Sequence, residues 1–230
     1  MLKPKKKLTR KEIKRDPFLE TIFSVRHNLT ENRKFYTRIL LGALFVFIIG
    51  TLFLQNTRAN REEANVALGK AMIYIDLGDD DNSILYLQDV IDEYPATLAG
   101  NNARYYLAKV YFDWGDYELA KPLLEEFIDR SGNQLLKGSA YQVLSNIYQD
   151  SGDLKTAIKY QRKALKYTNS REEAAWASLS LAKLDILNGN QNEAKKLIAD
   201  VLAEWDENFD LKQYAEFVEG LLVSEGNTLN

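Results

Sequence analysis

A run without charge from Ile39 to Thr57, bracketed by Arg38 and Arg58, dominates the hydrophobic pattern of the chain. Its apolar core, ILLGALFVFIIGTLFL (39–54), is interrupted by Gly42, Gly50 and Thr51. With Tyr36, Gln55 and Asn56 in the interface, the run reaches the roughly 20 residues that span a bilayer. The bracketing arginines can snorkel, and Phe35 and Tyr36 suit the interface, so the pattern predicts a transmembrane helix over 39–57 rather than a buried core helix. The two glycines stand eight apart and make no GxxxG pairing motif. Upstream, Asp16-Pro17 reads as a helix start. Phe18, Leu19, Ile22, Phe23 and Leu29 then form a partly apolar stripe beside Arg26, Arg33 and Lys34. That stripe suits an interfacial helix on anionic lipid, or a docking element for a membrane partner. Thr9 with Glu12 forms a capping-box pattern for a short basic helix before it. From Thr51 to Leu77 there is one glycine and no proline, so the membrane helix is expected to continue without a break well past the span.

Beyond the span the pattern becomes periodic. Gly78, Gly115, Gly152, Gly189 and Gly226 stand 37 residues apart. Asp79, Asp116, Asp153 and Asn190 come directly after the first four, and a small residue (Ser83, Ala120, Ala157, Ala194) stands five positions after each. Tyr74, Tyr111 and Tyr148 precede three of the glycines by four positions, and Asp185 breaks the series. Self-similarity at such a period signals a stacked array. Within each unit, glycine takes the left-handed turn that ends one helix. The Asp or Asn after it caps the next helix, and the small residue lets the two helices approach. The register predicts helix pairs at 64–77 with 81–93, 101–114 with 117–130, 138–151 with 154–167, and 175–188 with 191–204. The membrane helix is thus expected to run directly into the first of these. A last helix at 211–223 would cover the open end, as arrays require. Pro122 falls inside one predicted helix and is expected to kink it.

These residues resemble the tetratricopeptide repeat. Its small residue seven before the hairpin glycine is supplied by Ala71, Ala108, Ser145 and Ala182. The late apolar pair is seen as Val90-Ile91, Phe127-Ile128, Ala164-Leu165 and Val201-Leu202. The departures are the early tryptophan position, which carries Ala67, Arg104, Tyr141 and Ser178, and the closing proline, which Pro95 alone matches. The period of 37 rather than 34 is expected to add three residues between hairpins. The resemblance covers 64 to 226 and implies an all-α fold, with a single transmembrane helix and then a tetratricopeptide-like α-solenoid of four hairpins and a C-terminal capping helix. The layout, and the spacing of YPATLAGNNARYYLAKVYFDWGDYELAKPLLEEFI (94–128), resemble the YfgM-like ancillary subunit of the Sec translocon. That resemblance implies a single-pass inner-membrane protein beside the translocon, with a periplasmic chaperone as partner.

Charge divides the chain along the same lines. Residues 1–38 hold 12 Lys/Arg and 4 Asp/Glu, a net of +8, whereas 58–230 hold 18 and 29, a net of −11. The basic stretch KPKKKLTRKEIKR (3–15) is expected to stay in the cytoplasm under the positive-inside rule. No cleavage site of small residues comes after Leu54, so the segment reads as an uncleaved signal anchor. This gives a basic cytoplasmic tail (1–38), an anchor (39–57) and a periplasmic repeat domain (58–230) in a bacterial inner membrane. A polybasic flank beside a span binds lipid and needs no nucleic acid. The Asn28-Leu29-Thr30 sequon is then accidental.

The chemistry of catalysis is missing from the sequence. There is no cysteine, and His27 is the one histidine, so no thiol nucleophile, serine triad or histidine metal cluster can be built. Paired acids such as Glu125-Glu126, Glu172-Glu173 and Asp79-Asp80-Asp81 read as solvated faces and caps. The DDDN run (79–82) lacks the glycine and distal glutamate of an EF-hand loop. No enzyme, cofactor, metal or small-molecule substrate is expected.

A binding face is expected instead where first helices line the concave side of the stack. Equivalent positions give three columns: Leu68, Tyr105, Gln142, Leu179; Met72, Lys109, Asn146, Lys183; and Ile75, Phe112, Gln149, Ile186. Tyr105, Lys109, Phe112, Gln142, Asn146, Gln149 and Lys183 are the candidate contacts for an extended client peptide. Aromatics would cover apolar side chains, while amides and lysines meet backbone and carboxylate. The apolar members of the columns equally suit core between repeats. Anchor, repeats and face together read as a membrane-tethered adaptor at the Sec translocon, with a structural scaffold of envelope assembly or cell division as the alternative.

Overall fold

The computed structural model describes residues 17–130 and 133–228. The capping box at Thr9 and the basic stretch 3–15 lie outside the described residues. Among the described residues every regular element is an α-helix. The chain divides into two compact units, Met1–Arg58 and Ala59–Asn230.

In the first unit, α1 (Pro17–Glu31) begins at the expected proline. The next helix, α2 (Arg33–Asp76), includes the whole apolar run. Ile39, Leu40, Leu41, Leu44 to Ile49 and Leu52 are 46–70% exposed, so this part of the helix is apolar all round and uncovered. Among the described residues it is the one helix long and apolar enough to cross a membrane, and it is compatible with an anchor.

In the second unit, α2 leads to α3 (Asp80–Glu93), α4 (Leu98–Asp113), α5 (Tyr117–Asp129), α6 (Gln134–Asp150), α7 (Leu154–Lys166), α8 (Arg171–Leu187), α9 (Gln191–Glu204) and α10 (Phe209–Thr228). Four hairpins pair α2 with α3, α4 with α5, α6 with α7 and α8 with α9. Each turn is built on a glycine in left-handed backbone. Gly78, Gly115, Gly152 and Gly189 hold φ of 68° to 84°. In the first turn Gly78 N–H donates to Ile75 O at 3.0 Å and Asp79 N–H to Tyr74 O at 2.9 Å, the paired bonds of a Schellman ending. Asp79, Asp116 and Asp153 then accept from the amides of Asn82, Leu119 and Thr156, so one residue closes one helix and caps the next.

The small residues sit where the helices cross. Ser83, Ala120, Ala157 and Ala194, and opposite them Ala71, Ala108, Ser145 and Ala182, are fully buried. Ser145 Oγ donates to Ala157 O at 2.9 Å across the third hairpin. The tyrosines before the glycines fill the hairpin bases: Tyr74 stacks on Tyr86 at 4.8 Å and Tyr148 on Tyr160 at 5.4 Å. In the last hairpin Asp185 takes this position and is buried, and Asn190 Nδ2 donates to its Oδ1 at 2.9 Å. Asn190 therefore makes no side-chain cap, unlike its three aspartate counterparts. Leu211, Ala215, Val218 and Leu222 of α10 pack on Leu179, Ile186, Ile198 and Val201, which closes the end of the stack.

Two expectations are corrected. First helices start early, at Leu98, Gln134 and Arg171 rather than 101, 138 and 175, because Thr97, Asn133 and Ser170 supply side-chain caps. The extra residues of the long period therefore go largely into helix, leaving four-residue connections between hairpins. Gly226 ends no helix, since α10 runs from Phe209 to Thr228 and not over 211–223. Pro122 lies inside α5.

Candidate protein-binding cleft

The first helices of successive hairpins lie side by side, and their shared face holds two adjoining cavities. One, of about 360 Å³, is lined by Phe112 of α4, Gln142, Asn146, Gln149 and Asp150 of α6, Ser180, Lys183 and Leu184 of α8, and Tyr214 of α10. The other, of about 390 Å³, runs from Tyr105 and Lys109 past Ser139 and Gln142 to Glu173, Trp176 and Ser180. Gln142 and Ser180 line both, so together they form one cleft. All seven residues expected on this face line it.

Their environments differ. Tyr105 is buried and belongs to the core, packing on Phe127 at 5.5 Å. Burial pushes its phenol up, and a hydrogen bond with Ser139 opposes this. Leu179 and Ile186, from the same columns, are likewise core residues of the last hairpin. Lys109 is held by Asp113 at 3.0 Å, one turn along α4. Lys183 has no ion-pair partner among the described residues and remains available to an anion. Gln142 Nε2 donates to Asn146 Oδ1 at 3.1 Å, which leaves the Gln142 carbonyl and the Asn146 amide turned to other partners. Asp150 Oδ2 accepts from Tyr117 OH at 2.6 Å, and that bond raises the Tyr117 phenol above its ordinary value.

The column pattern of the sequence does not reach Asp150, Ser180, Trp176 or Tyr214. Asp150 and Ser180 each stand one residue after a column member, and Trp176 stands three before Leu179, on the next turn of the same face. Tyr214 lies in the helix expected only to cap the stack. Its ring is 5.4 Å from Trp176, which also lines the cleft, and 6.0 Å from Phe217. Burial raises the Tyr214 phenol, against a hydrogen bond with Ser180.

An ion cluster away from the cleft lining ties α4 to α5. Arg104, at the early tryptophan position, is buried and donates to Gly100 O at 2.9 Å. It also pairs with Glu126 Oε1 of α5 at 3.1 Å, and Arg130 reaches the same oxygen at 2.7 Å. Burial works against the charged Glu126, yet hydrogen bonds and charges from Arg104 and Arg130 together hold its carboxyl below the ordinary value. Arg130 further donates to Pro95 O at 3.3 Å, which ties α5 to the loop before α4. No group of three or more His, Asp or Glu positioned to hold a metal occurs among the described residues.

A tetratricopeptide-repeat model matches residues 102–134 and 138–171, and a second such model matches 58–97. A comparison with curated proteins gives no significant match. Among solved structures, MamA 41-end from Desulfovibrio magneticus RS-1 is similar at a TM-score of 0.52 and 18% identity, over 64% of this chain and 77% of that one. A Podosopora anserina putative kinesin light chain with nearly identical TPR-like repeats is similar at 0.56 and 15%, over 73% and 91%. At such identities the likeness is one of fold. No catalytic family is indicated, and repeats of this kind serve as protein–protein interaction scaffolds. Residues 58–97, 102–134 and 138–171 match tetratricopeptide-repeat models, and the helices from α2 to α10 make a tetratricopeptide-like solenoid.

Proposed function

We propose that the protein is a membrane-anchored interaction adaptor at the Sec translocon, where its repeat domain assists translocation or folding in the periplasm. The observation that carries this reading is the cleft. Its amides Gln142, Asn146 and Gln149, the unpaired Lys183 and the rings of Trp176 and Tyr214 suit an extended segment of a client or chaperone. The apolar run of α2 supports a tether, and the +8 flank supports a cytoplasmic N-terminus. Tethering would raise the effective concentration of partners, so weak contacts at the cleft would suffice.

The test is capture from native membranes. Full-length protein should co-purify with translocon subunits or a periplasmic chaperone. Gln142→Ala, Lys183→Ala and Tyr214→Ala combined should reduce that capture about tenfold while leaving the helical signal intact. Tyr105 is left out because it is core. Recovery of division or cell-wall proteins alone would overturn the translocon assignment, and undiminished capture by the triple variant would overturn the cleft.

A further inference from the structure

The second helices of the hairpins carry a charge pattern that the cleft does not use. Helix α7 holds Lys155, Lys159, Arg162, Lys163 and Lys166 and no acid, inside a domain of net −11. Helix α3 holds Asp80, Asp81, Asp89, Asp92 and Glu93 and no base. The two sets share positions in the repeat. Asp81 and Lys155, Asp89 and Lys163, and Asp92 and Lys166 each stand two periods of 37 apart. The same outward positions are thus acidic in the first hairpin and basic in the third.

Local stability accounts for only part of this: Asp80 and Asp81 in the first turn of α3 and Lys163 and Lys166 in the last turn of α7 suit the helix dipoles, but the rest do not. Lys155 stands in the first turn of α7, at its positive end, where cations are unfavourable. Lys155, Lys159 and Lys163 succeed one another at i, i+4 spacing, where like charges repel. None of Lys155, Lys159, Lys166, Asp81, Asp89 and Asp92 has an ion-pair partner among the described residues. A depression of about 520 Å³ lies along the basic stripe, floored by Ile158 and edged by Asn188 and Asn190. Leu85, 55% exposed, stands in the middle of the acidic stripe at the position that Lys159 occupies in α7. Each stripe runs for about 16 Å of helix.

We infer that the basic stripe of α7 docks on the acidic stripe of α3 from a second copy of this chain. Equal lengths and opposite signs let the charges pair along the whole stripe, and lysine stems would cover Leu85. A twofold arrangement makes the contact reciprocal, since each copy carries both stripes.

Two differently tagged full-length copies, mixed in detergent and captured by one tag, provide the test. Wild-type copies should capture each other at about 50 mM salt and at least fivefold less at about 500 mM. One variant carries Asp81→Lys, Asp89→Lys and Asp92→Lys, and the other carries Lys155→Glu, Lys163→Glu and Lys166→Glu. Each variant should fail to capture itself, and the two together should recover wild-type capture. Reversing Lys195 and Lys196 to Glu should change nothing, which separates the stripes from net charge. Thermal unfolding of each variant checks that it folds. Absence of wild-type capture, self-capture by either variant, or failure of the folded pair to recover would each overturn the inference. So would retention of anionic lipid or of another acidic protein by monomeric wild type, lost when the α7 lysines are reversed.

Discussion

The hairpin glycines isolate a backbone effect from a packing effect. At Gly115 and Gly152 an added Cβ would meet nothing within 4 Å, yet φ is +79° and +82°. Substitution by alanine is therefore strained without any clash, and Gly115→Ala or Gly152→Ala should cost about 1 kcal/mol or more. Gly100 presents the opposite case. Its backbone is ordinary helix, but a Cβ would fall 2.0 Å from the Tyr94 carbonyl oxygen, in the loop that Thr97 caps. Gly100→Ala must move backbone, and we expect a loss of about 3 kcal/mol. Gly69, helical with open space around it, should be neutral or gain a few tenths from the same change. All three tryptophans, Trp114, Trp176 and Trp205, lie in the helical solenoid, so fluorescence during urea unfolding of the detergent-solubilised chain reads these shifts. Equal midpoints for wild type, Gly115→Ala and Gly152→Ala would contradict the turn geometry.

At the scale of elements, the Glu126 cluster joins α4, α5 and the loop at Pro95 through Arg104 and Arg130. Its folded carboxyl is held below the ordinary value of 4.5, so the stabilisation is fully present above that value. It is lost as pH falls through the lower, folded value. Wild type should therefore lose urea resistance on acidification in a step that Glu126→Gln lacks, while the variant is the weaker protein at pH 7. Parallel pH profiles for the two proteins would show that the cluster contributes nothing to this linkage. Helices α8 and α9 carry a related adjustment. Asp185 is buried where tyrosine stands in the other hairpins, and the amide of Asn190 answers it where a second carboxylate would repel.

Across the whole molecule, the long-period signals were the readable ones. Glycine, cap residue and small residue recur at fixed spacing because each answers a local constraint, and together they locate four hairpins without any knowledge of packing. The starts of the first helices were not readable from the glycines. They depend on Thr97, Asn133 and Ser170, three residues of different type; Asn133 and Ser170 stand 37 apart, but Thr97 stands only 36 before Asn133. The cleft was legible in part. Columns at helical spacing put all seven candidates on one face, but periodicity cannot say that Tyr105 is swallowed by the core or that Lys109 is bound to Asp113. Nor could it show that α10 brings Tyr214 against Trp176, a contact made only when the array closes.

A photo-crosslinking amino acid placed at Gln142 or Tyr214 probes the cleft directly, with Leu187, exposed at the end of α8, as control. Irradiation is done on the full chain in its native membrane, and adducts are identified by mass. Adducts with translocon subunits, a periplasmic chaperone or translocating clients are expected from Gln142 and Tyr214, and few from Leu187. Equal labelling from all three positions, or no protein adduct from the cleft, would contradict a role for this face in partner binding.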